Sequence, residues 1–197
     1  SVGLASASKI VAVKITPDGS TTTSLGTIRK ALQSVLDNHA RYNIAAVNLS
    51  FGGGSAPKGE GPESLEPLYK ALADAGVFIA VSAGNGNAPG VAEGLNVLSA
   101  STEVASVGAV WDSNAGSKVW VTGAKDYSTD ADRIASFSQR AEGLDLVAPG
   151  GDILNLGLGG SLVVRNGTSM AAPMVAGAAV LVRQAAESIG LSLSTAD

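Results

Sequence analysis

The sequence contains no cysteine, which excludes disulfides, thiolate nucleophiles and cysteine-based metal sites while leaving the redox compartment open. Aromatic residues make up only 4% of it and charged residues 15%. The apolar 45% is therefore mostly Ala, Val, Leu and Ile, and together with 25 glycines it describes closely packed strands and helices joined by tight turns. There is no basic excess: the net charge is -4, so neither nucleic acid nor an anionic membrane surface is an expected partner. No run of about 18 apolar residues occurs, and no charged segment leads into an apolar core at the N-terminus, so neither a membrane span nor a signal peptide is expected. A length of 197 residues suits one hydrophobic core. The start at Ser1, inside what reads as folded sequence, leads us to expect a processed or cut chain, with methionine removal as the alternative.

Along the chain, β-branched runs alternate with helical periodicity. Lys9 to Ile15 reads as a buried strand that ends at the turn Pro17-Asp18-Gly19. Ser24 can cap a helix running to about Ala40, with Leu25, Ile28, Leu32, Val35 and Leu36 on one face. A strand over Ile44 to Ser50 runs into Phe51-Gly52-Gly53-Gly54, a helix follows from about Glu63 to Ala75, and Val77 to Ser82 is a further strand that discharges into Ala83-Gly84-Asn85-Gly86. Val104 to Val110 and Leu144 to Ala148 add two more strands, whereas Trp111 to Asp132 reads as a polar surface excursion. Ile153 to Leu158 and Leu162 to Asn166 form an expected hairpin around Gly159-Gly160. Ser169 to about Ser188 is a helix so apolar in its first four turns that we expect it to be buried on every side. The alternation predicts an α/β fold with a mostly parallel central sheet between helical layers, and such sheets place reactive groups beyond the carboxyl ends of their strands.

Three segments fall at those ends. In Asn166-Gly167-Thr168-Ser169-Met170-Ala171-Ala172-Pro173, a serine opens a helix, near the positive end of its dipole and beside backbone N–H groups that lack intrahelical partners; the plain alternative is that Ser169 only caps the helix. Pro173 is read as lying in the first turn, where a missing N–H costs nothing. Asn85 follows a buried strand, with a turn residue in left-handed geometry as its alternative reading. The third segment is Val47-Asn48-Leu49-Ser50-Phe51-Gly52-Gly53, which without further context is a strand end with a glycine turn.

Taken together these strings resemble the subtilisin-like serine proteases (peptidase family S8). The Ser169 string is similar to N-G-T-S-M-A-x-P-H-V-A-G, with Met174 standing where most members carry a helix-body His; Ala83-Gly84-Asn85-Gly86 is similar to A-G-N-x-G and the segment from Val47 to I-N-M-S-L-G-G. Further likenesses at Ala5 to Lys14, Val104 to Val110, Ile134 to Ser138 and Asp145 to Gly150 extend the match along nearly the whole chain. The resemblance implies a three-layer α/β/α domain of subtilisin type, with Ser169 as nucleophile of an acyl-enzyme and Asn85 as oxyanion donor. It implies that Ser50, Phe51 and Gly52, with Ala83 and Gly84, line a cleft for an extended polypeptide substrate.

Residues 1–197 would then be the C-terminal two-thirds of the domain, because the family's D-T/S-G and H-G-T-H segments, which carry the catalytic Asp and His, do not occur in them. The single histidine, His39, lies late in a crossover helix without an H-G-T context and reads as a surface residue. A nucleophile without a base is weak, so we expect the chain to be inactive unless a separate N-terminal segment complements it. A non-catalytic relative that binds or shapes, and a nucleotide-binding α/β protein, are the competing classes, although Gly84 to Gly90 lacks the G-x-G-x-x-G spacing. The family commonly binds structural calcium, yet Asp112, Asp126, Asp130 and Asp132 do not form a calcium-loop pattern and no ligand is assignable. An extracellular location follows from the resemblance alone.

Overall fold

The computed structural model describes residues 3–193. Helix α1 spans Leu25–Tyr42, starting where the Ser24 side chain accepts from the Thr27 N–H and ending at Asn43 in left-handed geometry. Strand β1 (Ala46–Leu49), helix α2 (Glu66–Asp74), and strands β2 (Phe78–Ser82) and β3 (Ala105–Val110) follow. Then come a two-residue ribbon, β4 (Lys118–Val119) with β5 (Lys125–Asp126), strand β6 (Leu146–Pro149), the hairpin β7 (Ile153–Leu156) with β8 (Leu162–Arg165), and helix α3 (Thr168–Ser188).

The central sheet has the order β1-β2-β3-β6 with every pair parallel, as the alternation predicted. Side chains alternate across it. Ile79 and Val81 point into a core closed by Ile28 and Leu32 of α1 and Leu68, Tyr69 and Leu72 of α2. Ala80, Val107 and Ala109 point the other way, onto Ala171, Ala172 and Ala176 of α3. Small residues on both sides of that second interface let α3 lie close enough to touch all four strands. Helices α1 and α2 on one face, the sheet, and α3 on the other make the three layers.

Four expectations need correction. Lys9 to Ile15 is not a strand: it pairs with no strand among the described residues, and Ile10 stands 91% exposed. A β-branched run specifies a ladder only if a neighbouring edge meets it. Helix α3 is not buried on every side, since only its sheet-facing residues are covered while Leu181 and Val182 are exposed. By length and composition α3 could cross a membrane, contrary to the sequence reading; in the fold it packs along the sheet. Pro173 is the sixth residue of α3, past the first turn.

The segment Trp111 to Asp132 is more than a surface excursion. Trp111 is fully buried, stacks on Trp120, and Trp120 meets Phe137 edge-on. At their centre the Asp126 carboxylate accepts from Trp111 Nε1 (3.2 Å), Trp120 Nε1 (2.7 Å), and both the N–H (2.9 Å) and hydroxyl (2.7 Å) of Ser136. Burial alone would raise the Asp126 pKa, but hydrogen bonds from Trp120, Ser136 and Trp111 outweigh it and hold the carboxyl below its ordinary value. A depressed folded pKa contributes stability above the ordinary value of 3.8 that is lost as pH falls through the lower folded one. Thermal midpoints measured from pH 6 downward should therefore start to fall below about pH 4. Asp126→Asn, which presents an NH₂ where a donor now points, should lower the free energy of unfolding in urea at pH 7 by about 2 kcal/mol and flatten that acid limb.

Candidate active site

The cleft forms where β1 and β2 end and α3 begins. Beyond β1 the chain turns through Gly52 at φ 131°, where a Cβ would fall 2.2 Å from Asn96 Oδ1. Beyond β2 it turns through Gly84 at φ 105°, where a Cβ would fall 2.0 Å from Gln139 Oε1. Both conformations and both approaches require glycine. Between these glycine walls lies a cavity of about 440 Å³. Of the residues expected at the site, Ser50, Phe51, Gly52, Gly84, Asn85 and Ser169 all line it.

Ala83 does not. It is fully buried beside Leu95 and Ala100, its N–H donates to the Val107 carbonyl and its carbonyl accepts from the Asn96 N–H, so no backbone group remains there for a ligand. The parallel ladder, which continues one residue past the end of β2, has consumed it.

Ser169 is the second residue of α3, and the N-cap is Gly167 with no side-chain cap, so the capping alternative for Ser169 falls away. Asn85 is not in left-handed geometry, a role Gly84 takes instead. The Asn85 Oδ1 accepts from the Thr168 N–H (2.9 Å) and the Thr168 hydroxyl (3.0 Å). A backbone N–H can only donate, so the oxygen must face Thr168 and the NH₂ must face away from it. The Thr168 hydroxyl in turn accepts from the Gly84 N–H (3.1 Å). Gly167, at φ 150°, has no Cβ to crowd the Asn85 amide, which would lie 3.1 Å from it.

Sequence reasoning missed Thr168, Asn96 and Gln139, all buried and all part of the cleft. Asn96 Nδ2 donates to the carbonyls of Phe51 and Ser82 (2.9 Å each), while its Oδ1 accepts from the N–H groups of Gly53 (3.0 Å) and Leu98 (3.2 Å). Gln139 Nε2 donates to the carbonyls of Gly54 and Gly94, and its Oε1 accepts from the Gly86 N–H. The two amides bolt the walls together. Only Thr168 carried a signal, as part of the Ser169 string.

Among the described residues no titratable side chain lines the cleft. His39 is in the last turn of α1, its Nδ1 2.6 Å from the Leu36 carbonyl, away from the cleft lining. No group of three or more His, Asp or Glu side chains that could hold a metal occurs among the described residues. A second hollow of about 380 Å³ beside residues 14–27 contains none of the expected site residues.

The whole arrangement has counterparts among known proteins. The sequence profile of the Subtilase family matches residues 1–196. The subtilisin-like serine protease AsES of Sarocladium strictum is 34% identical over 180 residues, and a subtilisin-like protease of Coccidioides posadasii 35% over 182; each comparison covers 90% of this chain and 39% of the relative. The chain thus spans about two-fifths of the length of these relatives. Among solved structures, the prenylagaramide maturation protease PagA superposes with a TM-score of 0.71 at 23% identity over 92% of this chain and 57% of its own. The self-cleaved protease domain of PatA gives 0.66 at 24% over 86% and 55%. At such identities the superpositions speak to the fold, whereas the profile spans the chain almost from end to end, and by that match this protein belongs to the subtilase family.

Proposed function

We propose that this chain supplies the nucleophile and the oxyanion site of a serine endopeptidase. In that reading the Ser169 hydroxyl oxygen attacks the carbonyl carbon of a polypeptide while its proton passes to a base. The oxyanion is held by Asn85 Nδ2 and the Ser169 N–H, and the amine leaves with a proton returned by the base. Water then attacks the acyl-enzyme by the same route. Ser50, Phe51, Gly52 and Gly84 would present backbone to an extended substrate. The orientation of Asn85 carries the reading: Thr168 occupies its oxygen, and no hydrogen bond engages its NH₂ among the described residues.

In this reading the base comes from elsewhere, because no titratable group lines the cleft among the described residues. A separate segment bearing the Asp and His of the family would provide it, and the whole protein would act outside the cell, as the resemblance implies. The same absence also supports a second reading, a non-catalytic subtilase that binds extended peptides.

A fluorophosphonate probe separates these. Ser169 should be labelled only when the chain is combined with a segment carrying the missing Asp and His. Strong labelling of the chain alone overturns its expected inactivity, and peptide binding without labelling in the complemented form favours the second reading.

In the complemented protein, Asn85→Leu should cut kcat by about 10²–10³, the magnitude known for loss of this donor in subtilisin itself, with KM little changed. Thr168→Val leaves one of two hydrogen bonds on the Asn85 oxygen and should cut kcat by about tenfold, with Thr168→Ser recovering most of the loss.

A further inference from the structure

Helix α3 has a proline in its second turn. Pro173 has no N–H, so the carbonyl of Ser169, four residues earlier, loses its helical donor, and the pyrrolidine ring crowds that same carbonyl outward. The carbonyl belongs to the residue at the centre of the site. It is not left without a partner: the hydroxyl of Ser50, 119 residues earlier at the end of β1, donates to it at 2.8 Å.

We propose that Ser50 is a positioning residue for Ser169, its hydroxyl replacing the hydrogen bond that Pro173 cannot make and so tying the cleft wall to the backbone of the nucleophile. This rests on the serine-peptidase reading above and adds a role for Ser50 beyond lining the cleft. A hydroxyl has one proton to give. Asn48 Nδ2 lies 3.1 Å from Ser50 Oγ and can donate to it, which directs the Ser50 proton to the Ser169 carbonyl rather than to Asn48 Oδ1 at 3.2 Å. The chain Asn48 to Ser50 to Ser169 is thus polarised in one direction.

Its consequence is geometric. Substrate backbone would lie along Ser50 to Gly52 while the attacking oxygen belongs to Ser169, and these elements meet at this hydrogen bond. An ordinary alanine at position 173 would satisfy the carbonyl within α3 and leave the wall untied. Pro173 is itself exposed, so replacing it removes no buried contact.

The test is a double-substitution cycle with two readouts. On the chain alone, the Ser169 carbonyl ¹³C resonance should shift upfield in Ser50→Ala and return in Ser50→Ala/Pro173→Ala, where the new amide N–H takes the carbonyl. In the complemented protein, Ser50→Ala should lower kcat about tenfold with KM held within about twofold, and the double variant should recover most of that loss. A merely structural contribution from Ser50 would give no such rescue. The proposal is overturned if the Ser169 resonance is unmoved in Ser50→Ala, or if the effects of the two substitutions on kcat simply multiply. Should the complemented wild-type protein turn over no substrate, the peptidase reading fails, while the carbonyl resonance still decides whether Ser50 holds Ser169.

Discussion

The side-chain oxygen of Asn85 and the backbone N–H of Thr168 are 83 residues apart in sequence and 2.9 Å apart in space, and the character of the cleft follows from that contact. It fixes which end of the Asn85 amide faces the cavity, and it fastens the loop after β2 to the first turn of α3. Such an approach needs a helix that can come close to the strand ends. The alanines of α3 and of β2, β3 and β6 provide it: larger side chains at Ala80, Ala109, Ala172 or Ala176 would push α3 from the sheet and open the bond. Packing and the orientation of the Asn85 amide are therefore one constraint.

The same logic shapes the walls. Gly52 and Gly84 adopt backbone conformations that other residues avoid, and the space their missing Cβ atoms leave is filled by Asn96 and Gln139. A buried amide left without partners costs about 1–3 kcal/mol. Here the Asn96 amide has partners at both ends, drawn from three stretches of chain around positions 51, 82 and 97, so any drift of one stretch would break hydrogen bonds in the others. The Asn96 and Gln139 amides are committed to joining the walls, whereas no hydrogen bond engages the NH₂ of Asn85 among the described residues.

The covering of the fold is uneven. One face of the sheet is closed by α1 and α2 over a continuous apolar core, whereas α3, on the other, keeps Leu181 and Val182 exposed. The N-terminal stretch crosses α3 near Gly177, where a Cβ would sit 3.5 Å from that of Leu4, and continues into Lys9 to Ile15, which pairs with no strand among the described residues. In the relatives these 197 residues correspond to about two-fifths of a longer chain.

What the sequence determined by itself was local and periodic. Alternating β-branched and helical runs specified the parallel sheet and its helices to within a few residues, because side-chain period and capping residues such as Ser24 act within a turn or two. The strings around Ser50, Asn85 and Ser169 located the cleft, because glycine turns at strand ends leave a legible mark. Tertiary structure decided the rest. Lys9 to Ile15 has the composition of a strand but pairs with no strand among the described residues, and Ala83 sits inside a site motif yet is spent on the ladder. Asn96 and Gln139 look like ordinary loop amides until the walls they join are brought together. The meaning of Pro173 changed most, since only the fold shows that the carbonyl it strands is met by Ser50. Composition and spacing can say which backbone groups will lack a partner within their own element, but which distant side chain arrives to satisfy them depends on long-range packing that no local pattern encodes.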